Sequence, residues 1–517
     1  MRPRRTRSSA PEKSHPHHLE APSPSPVTGL FGAPGNGRCR RLLPHASIGP
    51  SHAPERDQRA STTVPYPEPS HTAPARRAFR RITTATAVAA AGALVVAGCS
   101  SGSSADSIDE SAPKELKGTV SLWHFFTGRE AGVVKTAVEG FEKEHPDVTV
   151  DIHAGQDDEK LQKAISSGQN IDVGLSYSTA IVGSFCSSGA FRDLSPYIER
   201  DEVDLSDIPK AVQSYTQYKG TRCTLPALAD VSALMVNKPL LEKAGITSPP
   251  KTLDELKADA LKLTTYNADG SIKQLGFNPL IDFYENSPEH WAPMVDGSWL
   301  DEDGNSVIGT SDAWKKLITW QKDFVDEIGY DKLKAFTSGL GQEFAADNAF
   351  QTGQVAMQID GEYRTAFIKD QKPDLDYGTA PTPVMDGLGN YGSTYIAGNV
   401  AGIAKGSKHP ELSWALLKYL STDTDAQVTL GNGLKNIPTL TSALQSPDLE
   451  VDENYKTFVD VAGNEDTMTS PGTADGAAYI GTFTKFWQAY QQDGGDLDAK
   501  LKKLDSDIDN ANQLAGP

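Results

Sequence analysis

The chain has 517 residues, a formal net charge of −19 and a hydrophobic fraction of 38%. That length fits roughly two to four domains. The acidic balance speaks against nucleic acid as a partner, because phosphate binding needs a basic surface, and four cysteines in so long a chain exclude a disulfide scaffold.

The charge is unevenly spread. Residues 1–98 carry 14 Lys and Arg against 5 Asp and Glu, a surplus of +9, which leaves −28 for residues 99–517. Residues 1–75 are rich in Pro, Ser, His and Arg and poor in apolar residues, so they cannot bury enough surface to fold. They read as a disordered arm or as an extension from a misplaced start. The second fits better, because an export signal follows. Arg76, Arg77, Arg80 and Arg81 form a basic cluster, and Ile82 to Val96 is apolar and Ala-rich. Basic, apolar and small-residue regions in that order describe a signal peptide over 76–98, too short for a comfortable membrane span. Val96-Ala-Gly-Cys99 resembles the lipobox of bacterial lipoproteins, which implies cleavage before Cys99 and acylation of its thiol. Arg76-Arg77 also resembles, more loosely, a twin-arginine export signal. Residues 99–117 open on Ser-Ser-Gly-Ser-Ser and read as a flexible linker. The expected location is the outer face of the cell membrane. Thiols oxidise there. With Cys99 lipidated, Cys186 and Cys223 remain, an even pair that reads as a disulfide; two buried free thiols are the alternative.

The folded part begins with Thr119–Trp123, a strand. A helical stripe at 133, 134, 137, 138 and 141 follows and stops at His145-Pro146, since a residue before proline avoids the helical region. Val148, Val150 and Ile152 alternate as a second strand. Leu161, Ala164 and Ile165 mark a helix, and Ile171–Leu175 a third strand. Strand and helix in alternation predict a parallel, doubly wound sheet. Thr252-Leu-Asp-Glu255 is a capping box. Trp314, Leu317, Ile318 and Phe324 stripe another helix, Pro410 opens a further one, and Leu497–Ile508 is a polar amphipathic helix.

Gly118-Thr-Val-Ser-Leu-Trp123, Phe141-Glu-Lys-Glu-His-Pro146, Ser167-Gly-Gln-Asn-Ile-Asp172, Gly189–Tyr197, Ala244–Leu256 and Gly353–Met357 with Gly361-Glu-Tyr363 stand in an order and spacing similar to the extracellular solute-binding proteins of ATP-driven sugar importers. The likeness covers nearly all of 118–500. It implies an α/β, two-lobed periplasmic-binding-protein-like fold, each lobe a doubly wound sheet with flanking helices, joined by crossing hinge strands. Lobe one is expected at 118–228 with 394–440, and lobe two at 229–393 with 441–517. A hinge of this kind closes two lobes over a ligand. The resemblance implies a monomeric, non-enzymatic protein that captures a sugar or oligosaccharide and delivers it to an ABC importer permease, with no cofactor.

Similarity to the maltose-binding branch carries over Asp230 after the first crossing, Tyr177 after the third strand, Tyr363 at a position where the family often has Trp, and Tyr479 in the late helical segment. Aromatic faces cover sugar rings and carboxylates accept from hydroxyls. Position and composition add Glu130 with Arg129 at the end of the first strand, Asp157 and Asp158 after the second, and Asp360. Trp291 fits a ligand platform and a core position equally.

Several motifs are discounted. Gly387–Gly392 fits a dinucleotide glycine pattern but lacks its strand and helix. Asp301–Asn305 lacks calcium-loop spacing and reads as a hairpin turn. The histidines at 124, 145, 153, 290 and 409 show no metal spacing. Two rival readings stand beside the binding protein. One is a secreted glycoside hydrolase, with Asp230 and Glu362 as its carboxylate pair. The other keeps the binding fold for a polyamine, metal chelate or peptide.

Overall fold

A computed structural model describes residue 108 and residues 111–515. The signal peptide, Cys99, residues 1–75 and most of the linker lie outside the described residues.

Among the described residues nine strands follow in chain order: β1 (Gly118–His124), β2 (Val148–His153), β3 (Val173–Ser176), β4 (Leu225–Asn237), β5 (Thr265–Tyr266), β6 (Ile272–Phe277), β7 (Val355–Gly361), β8 (Tyr377–Ala380) and β9 (Ile396–Ile403). Their order is β2-β1-β3-β9-β4-β7-β6-β5, with β8 also paired to β4. The parallel trio β2-β1-β3 is the doubly wound start that the alternating pattern predicts. Its helices, Gly128–Glu144 and Asp158–Ser166, bury Val134, Val138, Phe141 and Leu161 against the sheet. His145 caps the first of them with φ −124° and ψ 72°, outside the helical region that a residue before proline avoids.

The two lobes share one strand. β4 pairs with β9 from Leu225 to Val231, then with β7 from Ser232 and with β8 from Leu234. The chain thus changes pairing partners between Val231 and Ser232 without a break. β9 returns antiparallel beside β3, and Ala229 pairs with Ile437 in a third crossing. Three strands of backbone therefore connect the lobes, and side chains near them face both.

Each lobe has its own core. One gathers β1, β2, β3 and the helices Pro410–Thr422 and Thr424–Leu434. The other gathers β6, β7 and the helices Leu253–Leu263, Asp312–Ile328, Ala478–Asp493 and Leu497–Ala515. Thr252 and Glu255 form the capping box in both directions. Inside the second core the buried Gln321 amide donates to the Gln491 side chain (2.8 Å), which also accepts from the Ile281 N–H (2.9 Å). This polar pair pins the loop after β6 to the C-terminal helices. Asp301 accepts from the N–H of Asp303 and Asn305 and makes the expected turn. Cys186 and Cys223 are joined, with Cα atoms 5.4 Å apart. The bridge ties the helix Ile181–Ser188 to the approach of β4.

Candidate functional site

A cavity of about 740 Å³ lies where the lobes meet, within the range usual for small-molecule sites. Loops at the carboxyl ends of β1 and β3 form one wall, where doubly wound sheets present ligands. They supply Phe125 and Tyr177, packed edge to face with centroids 5.6 Å apart. Tyr177 is 53% exposed, an open aromatic face rather than a core residue. The opposite wall carries Tyr363, Phe344 and Phe367; Phe344 stands 5.8 Å from each of the other two rings. Gly361 makes Tyr363's position possible. A Cβ there would come within 2.2 Å of Tyr363 Cε1, so the Gly-x-aromatic spacing is a steric requirement.

The floor is polar and built from the hinge. Asp230 comes from β4, Asn399 from β9 and Asn436 from the third crossing. The Asn399 amide donates to Asp230 Oδ2 (3.2 Å), and Asn436 Nδ2 donates to Asp230 Oδ1 and to Glu362 Oε1 (3.1 Å). Glu362 Oε2 also accepts from the Val231 N–H at 2.8 Å. Burial, with a smaller push from Glu285, lifts Asp230 to about 6 against opposing hydrogen bonds. Glu362 is driven well above its ordinary value by burial and by Asp230. Glu130 joins this side of the cavity, raised by burial and by Asp230, with Arg129 opposing.

A second acidic group lies under the Tyr363 wall. Carboxylate oxygens of Glu285, Glu343 and Asp360 fall within 4.8 Å of one another, a spacing that could hold a cation. The charge is already compensated by protein groups. Arg364 Nε pairs with Asp360 at 2.7 Å. His290 contacts Glu285 at 3.2 Å, and the Tyr363 hydroxyl donates to Glu285. Glu343 is pushed up to about 9 by burial and by its acidic neighbours, so it is neutral at physiological pH.

Of the residues singled out in the sequence, Asp230, Tyr363, Tyr177, Glu130 and Arg129 come together on the cavity. Five others do not. Trp291 is 1% exposed in the second core, edge to face against Trp487 at 5.8 Å; that position excludes a platform role. Tyr479 is buried, packs on Trp299 and donates its hydroxyl to the Pro471 carbonyl (2.9 Å). One residue on, Ile480 faces the cavity instead. Asp360 is fully buried in its ion pair with Arg364. Asp157 caps the helix Asp158–Ser166 through the Lys160 N–H and pairs with the Lys160 ammonium. Asp158 beside it binds the Ser176 hydroxyl (2.8 Å) and is lifted to about 6 by burial. Phe344, Phe367, Asn399 and Asn436 were missed. An asparagine inside the apolar run Ile396–Ile403 was the one available signal.

Two α/β lobes around an aromatic-walled, polar-floored cleft, joined by three crossings, define a hinged ligand-binding protein. Residues 127–427 match the bacterial extracellular solute-binding protein family, and the chain belongs to it. A Brucella abortus (strain 2308) protein described only as a binding protein is 29% identical over 327 residues, 62% of this chain and 75% of that one. The maltotriose-binding protein of Pyrococcus abyssi is 24% identical over 338 residues, 65% of this chain and 69% of its own. Among solved structures, CpMnBP1 with mannotriose bound is 26% identical with a TM-score of 0.68, covering 75% of this chain and 99% of that one. The two-lobed fold and the extracellular solute-binding family expected from the sequence are thus found. Among the described residues no helix is long and apolar enough to cross a membrane.

Proposed function

We propose that this protein is exported, anchored to the outer face of the membrane through lipid on Cys99, and captures an oligosaccharide between its lobes for delivery to an ABC importer permease. The lobes are taken as 118–228 with 394–440, and 229–393 with 441–517. One observation carries the reading: aromatic side chains stand on both walls of a cavity whose floor is a carboxylate flanked by carboxamides. Rings of that kind cover the apolar faces of a sugar, and the floor meets its hydroxyl rim. The likeness to a mannotriose-bound protein over 99% of that protein's length supports a sugar as cargo. Asp230, Glu130, Tyr363 and Tyr177 are the proposed ligand contacts.

The hydrolase reading fares worse. Glu362 is fully buried, bonded to the Val231 N–H and Asn436, and does not line the cavity. It has no route to a glycosidic bond.

The test is calorimetric titration of the protein lacking residues 1–98 with mannobiose, mannotriose and maltotriose. Binding is expected, with Asp230→Asn and Tyr363→Ala each weakened roughly tenfold or more and thermal melts showing both folded. Unchanged affinity in both variants places the contacts elsewhere, and failure of the wild type to bind any sugar refutes the cargo. Replacing Cys99 with Ala should release the protein from the membrane; retention with lipid would refute the anchor.

A further inference from the structure

The cavity carries more negative charge than the protein around it balances. Glu130 in the first turn of the helix Gly128–Glu144, Asp230 on β4 and Glu289 on the short helix Pro288–Trp291 all line it, and all three are partly exposed. Asp230 is met by the neutral amides of Asn399 and Asn436. Glu289 Oε2 has no hydrogen-bond partner among the described residues. Glu130 has Arg129 at 3.8 Å, yet burial still holds its carboxyl above the ordinary value against that guanidinium. Among the described residues that line the cavity, Arg129 alone is Arg or Lys, and its charge is shared. Its Nε pairs with Asp370 at 2.8 Å and its Nη1 donates to the Gly433 carbonyl. His290 is taken up by Glu285 at 3.2 Å. Set against Glu130, Asp230, Glu289 and Asp370, one guanidinium leaves the cleft anionic.

The walls add an independent preference of the same sign. Tyr177 and Phe344, each 53% exposed, present open ring faces from opposite lobes. The face of an aromatic ring is negative and attracts a cation. A walled cleft lined by one sign of charge also focuses its field on whatever enters. We propose that the cargo is a cationic saccharide, in which an ammonium group on one sugar unit is held by carboxylates of the set Glu130, Asp230 and Glu289. The inference rests on the sugar reading above and adds to it the charge of the ligand. An ammonium brings three donors and a full positive charge to groups that only accept, where a hydroxyl brings one donor and no charge. Charge-assisted hydrogen bonds are roughly twice as strong as neutral ones. A neutral sugar closing the same cleft displaces water from the carboxylates and leaves their charge uncompensated.

Titration calorimetry at pH 7.0 compares mannobiose, mannotriose and maltotriose with the monoamino series of each, in which one hydroxyl at a time becomes a largely protonated primary amine. At least one amine should bind the wild type about tenfold or more tighter than its neutral parent. Glu130→Gln, Asp230→Asn and Glu289→Gln keep the side-chain shape and remove the charge, and thermal melts check that each folds. At least one of them should lose most of that advantage, weakening the amine more than the parent. A purely structural effect would weaken both alike. If neutral parents bind and no amine binds more tightly, the cationic cargo is refuted while the sugar reading stands. If the advantage survives in full in all three variants, these carboxylates are refuted as its origin. If neither parents nor amines bind, the sugar reading falls and this inference falls with it.

Discussion

Asp230 should make the empty protein less stable at neutral pH than at pH 4, and Asp230→Asn should reduce that difference. The reasoning starts from the carboxyl's surroundings. Its affinity for a proton is raised from 3.8 to about 6 in the folded protein, chiefly by burial. Between those values the folded state binds more protons than the unfolded state, so stability falls as pH rises and levels off above pH 6. A shift of that size corresponds to roughly 3 kcal/mol. Asp230 keeps some contact with the open cleft, and water there screens the charge, so about 1–3 kcal/mol is expected. Glu362 and Glu285 face it as acids and His290 as a base. Glu343, lifted to about 9, adds a slope of the same sign at higher pH. The informative quantity is therefore the difference between wild type and variant. Urea unfolding at pH 4.0 and pH 7.5 measures it. The wild type should lose about 1–3 kcal/mol more than Asp230→Asn across that interval. Equal losses would refute the argument that burial at the hinge sets this group's ionisation.

Removing the disulfide with Cys186→Ala and Cys223→Ala together frees a loop of sequence separation 37. Chain-entropy reasoning gives a loss of about 4 kcal/mol, read by urea unfolding; a loss below about 1 kcal/mol would mean the unfolded chain is already constrained. Arg129, at the start of the helix after β1, pairs with Asp370 on the helix after β7 at 2.8 Å and lies over the Phe367 ring. This contact spans the cleft mouth between partly exposed groups. Asp370→Asn should therefore speed sugar release by only about two- to fivefold, measured by stopped-flow tryptophan fluorescence, and an unchanged rate at low salt would show that the pair does not hold the lobes together.

Local rules, applied to neighbours in sequence, determined much of this protein. The alternation at Val148–Ile152, the helical stripe ended by His145-Pro146, and the capping box at Thr252–Glu255 each depend on a few adjacent residues, and each stands in the structure as read. The joining of Cys186 to Cys223 was reached by counting the cysteines left once Cys99 is set aside as the expected lipidation site. Asp230 was reached through similarity to the maltose-binding branch, as a position just after the first crossing, and it lines the cavity.

Tertiary structure alone decided which aromatic and acidic side chains reach the cleft. Trp291 and Tyr363 are both large rings in loop-rich sequence. One fills the second core and the other covers the cavity, because burial depends on helices some 190 residues further along the chain, where Trp487 waits for Trp291. Tyr479 and Ile480 are adjacent, yet a turn of about 100° along the helix sends the ring inward and the aliphatic chain to the cleft. Asp360 has the same chemistry as Asp230, but Arg364 neutralises it and closes it off from ligand. Asn399 and Asn436 are separated by a full helix pair in sequence and meet only because two crossings lie beside β4. Sequence sets the period and the caps, since those depend on short-range sterics. The site is a meeting of three crossings and two lobes, and its partners are chosen by packing between segments that no local pattern connects.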